Sequence, residues 1–340
     1  MEMLGRHRLI KFTVLVWGLL LTAMVQAEVF QCRDTAGGVR FQDRPCAGDR
    51  VAAIDQRPSP VPSHAQPQAD SGNHFFWRAE SDQGTLYLLG SIHFGIPQMY
   101  PLPRVMTSAF KQSDALVVEA DVFNADPQQT AELVASKAFY QDGSRLHDHL
   151  SAQTWQHLEQ VAGALGMPVA MLDMQKPWFV SMTLTAVALK QLGFSEDKGI
   201  DAHFLSLARG KKKVVELESM AMQLSLFERM SMAEQVAMLE ETLREVEHGK
   251  AFFDKMLGYW QRGDVDGVQS LFDEGMMNSP AGERLNQIII IDRNRQMSEK
   301  LHALAQQGGR YFVVVGAGHL TGPEGIVALL RQRGYRLSQY

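Results

Sequence analysis

The sequence predicts an α/β protein. A buried, mixed or mostly parallel sheet with surrounding helices and a helical cap is preceded by a small disulfide-linked β-hairpin unit. Three observations lead there. Short apolar runs of strand length alternate with long helix-periodic stretches through most of the chain, as in layered α/β domains. The 340 residues are 45% hydrophobic, enough for one large core and a small companion unit. Both cysteines, Cys32 and Cys46, fall close together near the N-terminus.

Residues 1–27 read as a cleaved signal peptide. Arg6, Arg8 and Lys11 precede an apolar run, Phe12 to Val25, which ends in Val25-Gln26-Ala27. Basic region, short apolar region and a small-x-Ala site are the syntax of export. The run is short for a stable anchor, so no membrane span is expected after cleavage, and the product belongs in the periplasm or outside the cell. A net charge of −5 gives no reason to expect nucleic acid as partner.

Residues 28–56 form the small unit. Val29–Arg33 and Val39–Gln42 alternate as strands around Thr35–Gly38, which is hairpin syntax. Two nearby cysteines in a piece too small for its own core, in an oxidising compartment, read as one Cys32–Cys46 disulfide. Free thiols or a metal pair are the alternatives. The pattern resembles a small exported domain of unknown function that heads many proteobacterial envelope proteins. Residues 57–73 carry Pro58, Pro60, Pro62 and Pro67 among small polar residues and read as an extended linker.

The main domain is expected over residues 74–340. Its strands are Phe75–Ala79, Thr85–Leu89, Ala115–Glu119, Val214–Leu217 and Tyr311–Val315. Its helices are expected over 128–140, 152–165, 177–192, 199–209, 218–247, 251–261 and 283–307. Leu86–His93 and Phe312–His319 share one design: an apolar strand, then Gly-x-x-His. Glycine allows a sharp turn at the strand end, and the histidine lands on the loop just beyond. A third strand ends in Glu119, and a fourth runs into Glu218. In open α/β sheets, ligands bind outside the carboxyl ends of the strands. Two imidazoles and a carboxylate gathered there suit a first-row divalent metal ion. On the late helix, Arg293 and Asn294 fall within the apolar stripe of Ile289, Ile290, Met297 and Leu301. A buried cation needs a partner or a ligand, and a structural Arg–Glu pair would satisfy it equally. His147 and His149 read as surface residues.

These motifs, in this order, resemble the TraB/PrgY/GumN family, whose animal relatives are the Tiki proteases. The segments are Leu89–Gly95, Val118–Asp121, Gly199–Asp201, Glu216–Ser219, Asp292–Met297 and Gly316–Gly322. The resemblance implies an α/β domain of the erythromycin-esterase/ChaN-like type. It also implies a metal-dependent peptidase using both histidines, the glutamate and the arginine. In that reading His93 and His319 hold a divalent ion, with Glu119 as third ligand or as base. Arg293 and Asn294 stabilise an oxyanion, and Asp201 and Glu218 orient the ligands from behind. The substrate would be a peptide or protein. Two other readings compete: a metal-independent esterase-like hydrolase, and a non-catalytic protein that sequesters a peptide or haem-like ligand. The absence of a Gly-x-Ser-x-Gly, P-loop or dinucleotide motif lowers serine-hydrolase, NTPase and dehydrogenase readings.

The mature chain should begin at Glu28. N-terminal sequencing of exported protein checks this, and recovery of the intact Met1 segment would refute it.

Overall fold

The computed structural model describes residues 30–33, 39–42, 72–246, 249–276 and 280–340. The expected signal peptide, the Cys32–Cys46 bridge and most of the linker lie outside the described residues. The hairpin is present. β1 (Phe30–Arg33) pairs antiparallel with β2 (Val39–Gln42), Phe30 opposite Gln42 and Arg33 opposite Val39. Among the described residues no helix is long and apolar enough to cross a membrane.

The main domain is α/β, as the sequence predicts. Its sheet is built from β3 (Phe76–Glu80), β4 (Gly84–Ser91), β5 (Ala115–Val118), β6 (Lys213–Glu216), β7 (Gly309–Gly316) and β8 (Arg336–Gln339). The spatial order is β6-β5-β7-β4-β3-β8. The pairs β6/β5, β5/β7 and β7/β4 are parallel, whereas β3 runs antiparallel to both β4 and β8. The sheet is therefore mixed. Its four parallel strands all point their carboxyl ends to one edge, and the two Gly-x-x-His strands, β4 and β7, are direct neighbours. β7 lies between β4 and β5 although it comes last of the three in the chain. That reversal is a topological switch point, the place at which open α/β sheets bind ligands.

β4 and β5 are almost wholly buried, which explains why they read as continuous apolar runs. Phe204 from the helix Ile200–Ala208 and Phe110 from the helix Arg104–Gln112 both pack on Phe312 of β7. A second, smaller core of Leu158, Val161, Val180, Leu184, Leu239 and Leu243 joins the helices Ala152–Ala164, Pro177–Gln191 and Met232–Val246. This is the helical cap.

Some elements differ from expectation. The helix expected over 218–247 is interrupted: Met220–Leu226 ends, a tight turn follows, and Met232–Val246 begins anew. The reason lies in Ser231-Met232-Ala233-Glu234. Glu234 N–H donates to Ser231 Oγ at 3.3 Å, and Glu234 Oε2 accepts from Ser231 N–H at 2.7 Å, a reciprocal cap that starts a new helix. The helix expected over 283–307 contains a π-helical turn at Gln287–Ile291, between Pro280–Asn286 and Asp292–Gln306. Strand β8 and the helices Arg104–Gln112, Val265–Met276 and Ile326–Gln332 are additions to the expected set.

One close approach positions a site residue. Gly95 and Ser195 exchange two backbone hydrogen bonds, both 2.9 Å, and Ile200 N–H donates to the Ile92 carbonyl at 3.1 Å. The chain segments after β4 and before the helix Ile200–Ala208 thus touch backbone to backbone. A Cβ on Gly95 would lie 1.9 Å from the Lys198 carbonyl oxygen, and one on Gly199 2.1 Å from that of His93. Gly95→Ala should therefore cost about 1–3 kcal/mol, since backbone must move to admit the methyl. Urea denaturation measures it, and an unchanged midpoint would show that the contact is loose.

Candidate active site

The carboxyl edge of the parallel strands collects His93, Glu119, Glu218 and His319, and two helices reach in from either side. The helix Ile200–Ala208 brings Asp201 in its first turn, and the helix Asp292–Gln306 brings Arg293 and Asn294. Backbone pairing continues past the ends of β5 and β6. Leu217 N–H donates to Val118 O at 2.9 Å, and Glu218 N–H to Glu119 O at 2.8 Å. The two glutamates are thereby held abreast.

Arg293 lies between them. Its Nε donates to Glu218 Oε1 at 2.9 Å, its Nη2 to Glu218 Oε2 at 2.7 Å and also to Glu119 Oε2, and its Nη1 to the Ile289 carbonyl at 3.1 Å. The Arg293, Glu119 and Glu218 side chains are 6%, 1% and 1% exposed, so water screens little of this. Gln223 Nε2 adds a donor, 2.9 Å from Glu218 Oε2 and 3.4 Å from Glu119 Oε2. Burial by itself would push the Glu119 carboxyl up. Arg293, the two histidines and the Gly316 N–H outweigh it and hold the group at about 2. For Arg293, burial opposes the charge, but the two carboxylates raise its value above the ordinary one.

The histidines are each fixed from behind. His93 Nδ1 lies 2.7 Å from Asp201 Oδ2. His319 Nδ1 lies 2.6 Å from Asn294 Oδ1, and Asn294 Nδ2 donates to the Glu324 carbonyl at 2.8 Å. That last bond sets which end of the amide faces the imidazole. Each Nδ1 must then be the donor, which leaves each Nε2 with its lone pair when the ring is neutral. His319 Nε2 faces Glu119 Oε1 at 3.7 Å. Burial first, then the Arg293 charge, depresses His319 to about 3, against the pull of Glu119. Burial also opposes charge on His93, but Asp201 and Glu119 prevail and raise it.

The centre of the arrangement is the Cα of Gly316. A Cβ there would sit 3.3 Å from His93 Nε2, 3.4 Å from Glu119 Oε1 and 3.5 Å from His319 Cδ2. Glycine keeps open a cradle bounded by two imidazoles and a carboxylate. Among the described residues no three His, Cys, Asp or Glu side chains form a closed metal-ligating set. The donor chemistry still fits a divalent ion: two imidazoles with free Nε2 atoms, and a carboxylate oxygen between them. Glu119 is the weaker donor of the three, because Gly316 N–H already occupies Oε1 at 2.7 Å.

The structure thus brings His93, Glu119, His319, Asp201, Glu218, Arg293 and Asn294 into one cluster. The histidines are not the exposed loop residues that the strand-end reading suggests; His319 is 4% exposed. The side-chain nitrogens of Arg293 and Asn294 meet Glu218, Glu119 and the carbonyls of Ile289 and Glu324. His147 lies apart, exposed and bonded to Asp173 at 2.8 Å. Sequence reasoning misses Gln223. It lies in a short helix capped by Ser219, whose Oγ accepts from Met222 N–H at 3.1 Å, and no pattern distinguishes it from a surface glutamine. Trp260 escapes it too. Its Nε1 donates to the Gly90 carbonyl at 2.6 Å and steadies the end of β4.

Removing the guanidinium strands two buried carboxylates. Arg293→Ala should lose about 3–5 kcal/mol at neutral pH. Glu119 is held low, so its share of stability is present above its ordinary value of 4.5 and is lost as pH falls toward about 2. The gap between variant and wild type should therefore narrow across that window. Urea denaturation at stepped pH tests it; a gap that stays constant would mean that Arg293 does not keep Glu119 ionised.

Comparison with known proteins agrees with this architecture. Residues 19–70 match a domain of unknown function, DUF4124. "Uncharacterized protein YbaP" of Escherichia coli (strain K12) is 29% identical over 270 residues, covering 76% of this chain and 94% of that protein. The protein of the same name from Shigella flexneri aligns equally. An "Uncharacterized protein" of Treponema pallidum (strain Nichols) is 24% identical, covering 76% of this chain and 80% of its own length. No solved structure matches. Residues 75–339 match the TraB/PrgY/gumN family along nearly the whole α/β domain, and the chain belongs to that family.

Proposed function

We propose that the chain is an exported, metal-dependent hydrolase of peptides. The observation that carries this reading is the cradle at Gly316, toward which two imidazoles from neighbouring strands and one carboxylate converge. Structural histidines have no need to meet across a strand pair with their Nδ1 atoms separately anchored. Ligand histidines do, because anchoring fixes the ring and the tautomer. His93 and His319 would hold a divalent ion through Nε2. Such an ion supplies a Lewis acid for a carbonyl and makes water more acidic.

The residues around it divide the remaining work. Asp201 and Asn294 orient the rings. Arg293, Glu218 and Gln223 hold Glu119 ionised and aimed. A carboxyl kept at about 2 accepts protons poorly near neutrality, which favours Glu119 as ligand or orienting group over general base. A cleft of about 620 Å³ lined by Ala120, Asp121, Phe123, Ser219 and Met220 lies past the ends of β5 and β6, but its walls include neither histidine nor Glu119, so the peptide assignment does not rest on it. The resemblance to Tiki peptidases points to peptides, and the signal-peptide pattern of residues 1–27 supports an exported setting.

The test is cleavage of a mixture of fluorescence-quenched peptides by protein stripped of metal and reloaded with Zn²⁺, Mn²⁺ or Co²⁺. Activity should require one of these ions. His93→Ala and His319→Ala should each lose at least about 100-fold, and the double variant little more, because the two act as a unit. Cleavage that survives chelation, or wild-type metal content in both single variants, would sink the reading.

A further inference from the structure

Ser91 is the last residue of β4 and lies in register with Gly316 of β7. Residues abreast on neighbouring strands direct their side chains to the same face of the sheet. On that face a Cβ of Gly316 would meet His93, Glu119 and His319. Ser91 is 2% exposed, and its Oγ has no hydrogen-bond partner among the described residues. Unpaired buried hydroxyls are uncommon because alanine would fill the position without the loss. Nothing described in the fold uses this one.

The three groups that bound the cradle offer no donor of their own: they are a carboxylate and, once the rings are neutral, two Nε2 lone pairs. Gln223 Nε2 is turned to Glu218 and Glu119. The nitrogens of Arg293 and Asn294 are engaged by Glu218, Glu119, Ile289 and Glu324. We infer that Ser91 Oγ–H is a catalytic donor to the substrate, hydrogen-bonding the carbonyl oxygen of the bond that is cleaved. When the water oxygen adds to the carbonyl carbon, the carbonyl π pair moves onto the carbonyl oxygen, the atom that Ser91 Oγ–H would hold. That pair then returns to re-form the carbonyl as the C–N bond breaks, and the nitrogen takes the proton that the water gives up. A donor aimed at an oxyanion gains strength as charge develops, so it accelerates the reaction with little effect on ground-state binding.

This assignment rests on the hydrolase reading, and its test separates the two. The full chain loaded with Co²⁺ is compared with Ser91→Ala and Ser91→Thr on the quenched peptide cleaved best. Calorimetry follows binding of Co²⁺ and of a phosphinic analogue of that peptide. Ser91→Ala should lower kcat about 10- to 100-fold and leave KM within about twofold. It should weaken the phosphinic analogue in proportion and leave Co²⁺ affinity unchanged. Ser91→Thr should restore most of the loss, since it returns the hydroxyl. Wild-type kcat and phosphinate affinity in Ser91→Ala would overturn the role. So would a matching loss of Co²⁺ binding, which would assign Ser91 to the ion's surroundings. Labelling of Ser91 by an organofluorophosphate would make it a nucleophile and also overturn the donor role. If wild type cleaves no peptide and binds no phosphinate under any ion, the hydrolase reading fails first and takes this role with it.

Discussion

Arg293, held between Glu119 and Glu218, is the interaction on which the rest of the domain depends. Three ionised groups out of water are tolerable only when their charges and hydrogen bonds interlock. Here the guanidinium meets one carboxylate with two nitrogens and the other with one, and its remaining face meets a backbone carbonyl. Satisfying it fixes the distance between the ends of β5 and β6 and the depth of the helix Asp292–Gln306. The same helix carries Asn294, so the seat of Arg293 also sets the angle of His319. Two carboxylates against one guanidinium leave one negative charge over, beside two imidazoles. A pocket of that sign is a poor place for an anion and a good one for a cation.

The two imidazoles reach the same point by unlike supports. One leans on a charged carboxylate from the helix Ile200–Ala208 on one side, the other on a neutral amide from the helix Asp292–Gln306. The consequence is electrostatic: His93 is drawn toward its protonated form and His319 away from it. Near neutrality His319, held at about 3, is a neutral ring, and His93 is the one of the pair drawn toward charge.

Much of this is legible in the sequence, because strand ends leave strong marks. An apolar run followed by Gly-x-x-His needs no alignment to be noticed, and its recurrence at β4 and β7 points to a shared edge. The polar pair Arg293-Asn294 stands out because it interrupts an apolar helical stripe. The hidden features depend on contacts rather than pattern. Gln223 and Trp260 matter through one nitrogen each, and no periodicity marks a nitrogen. Ser91 reads as part of a turn motif, and its position abreast of Gly316 becomes visible only once β4 and β7 are paired. Strand β8 follows a short helix and is half exposed, so its four residues lack the apolar run that marks its neighbours. The break before Met232 is written in the sequence but masked by the methionine-rich stretch around it.

The π-helical turn at Gln287–Ile291 carries a consequence of its own. Such a turn holds one residue more than regular helix, and it is usually found near functional sites. Asp292 N–H reaches back to Gln287 O, and the carbonyl of Ile289 is met by the Arg293 guanidinium. The extra residue sets the phase in which Arg293 and Asn294 both face inward. Excising one codon there would rewind the segment as ordinary helix and rotate its downstream half by about 100° relative to the upstream half. The turn also feeds the hydrophobic core, since Ile288 and Ile289 are both buried in the cluster that covers the sheet. That rotation would withdraw Arg293 from its two carboxylates and carry Met297, Leu301 and Ala305 out of the core together. Core packing and site geometry are therefore written into one helical phase.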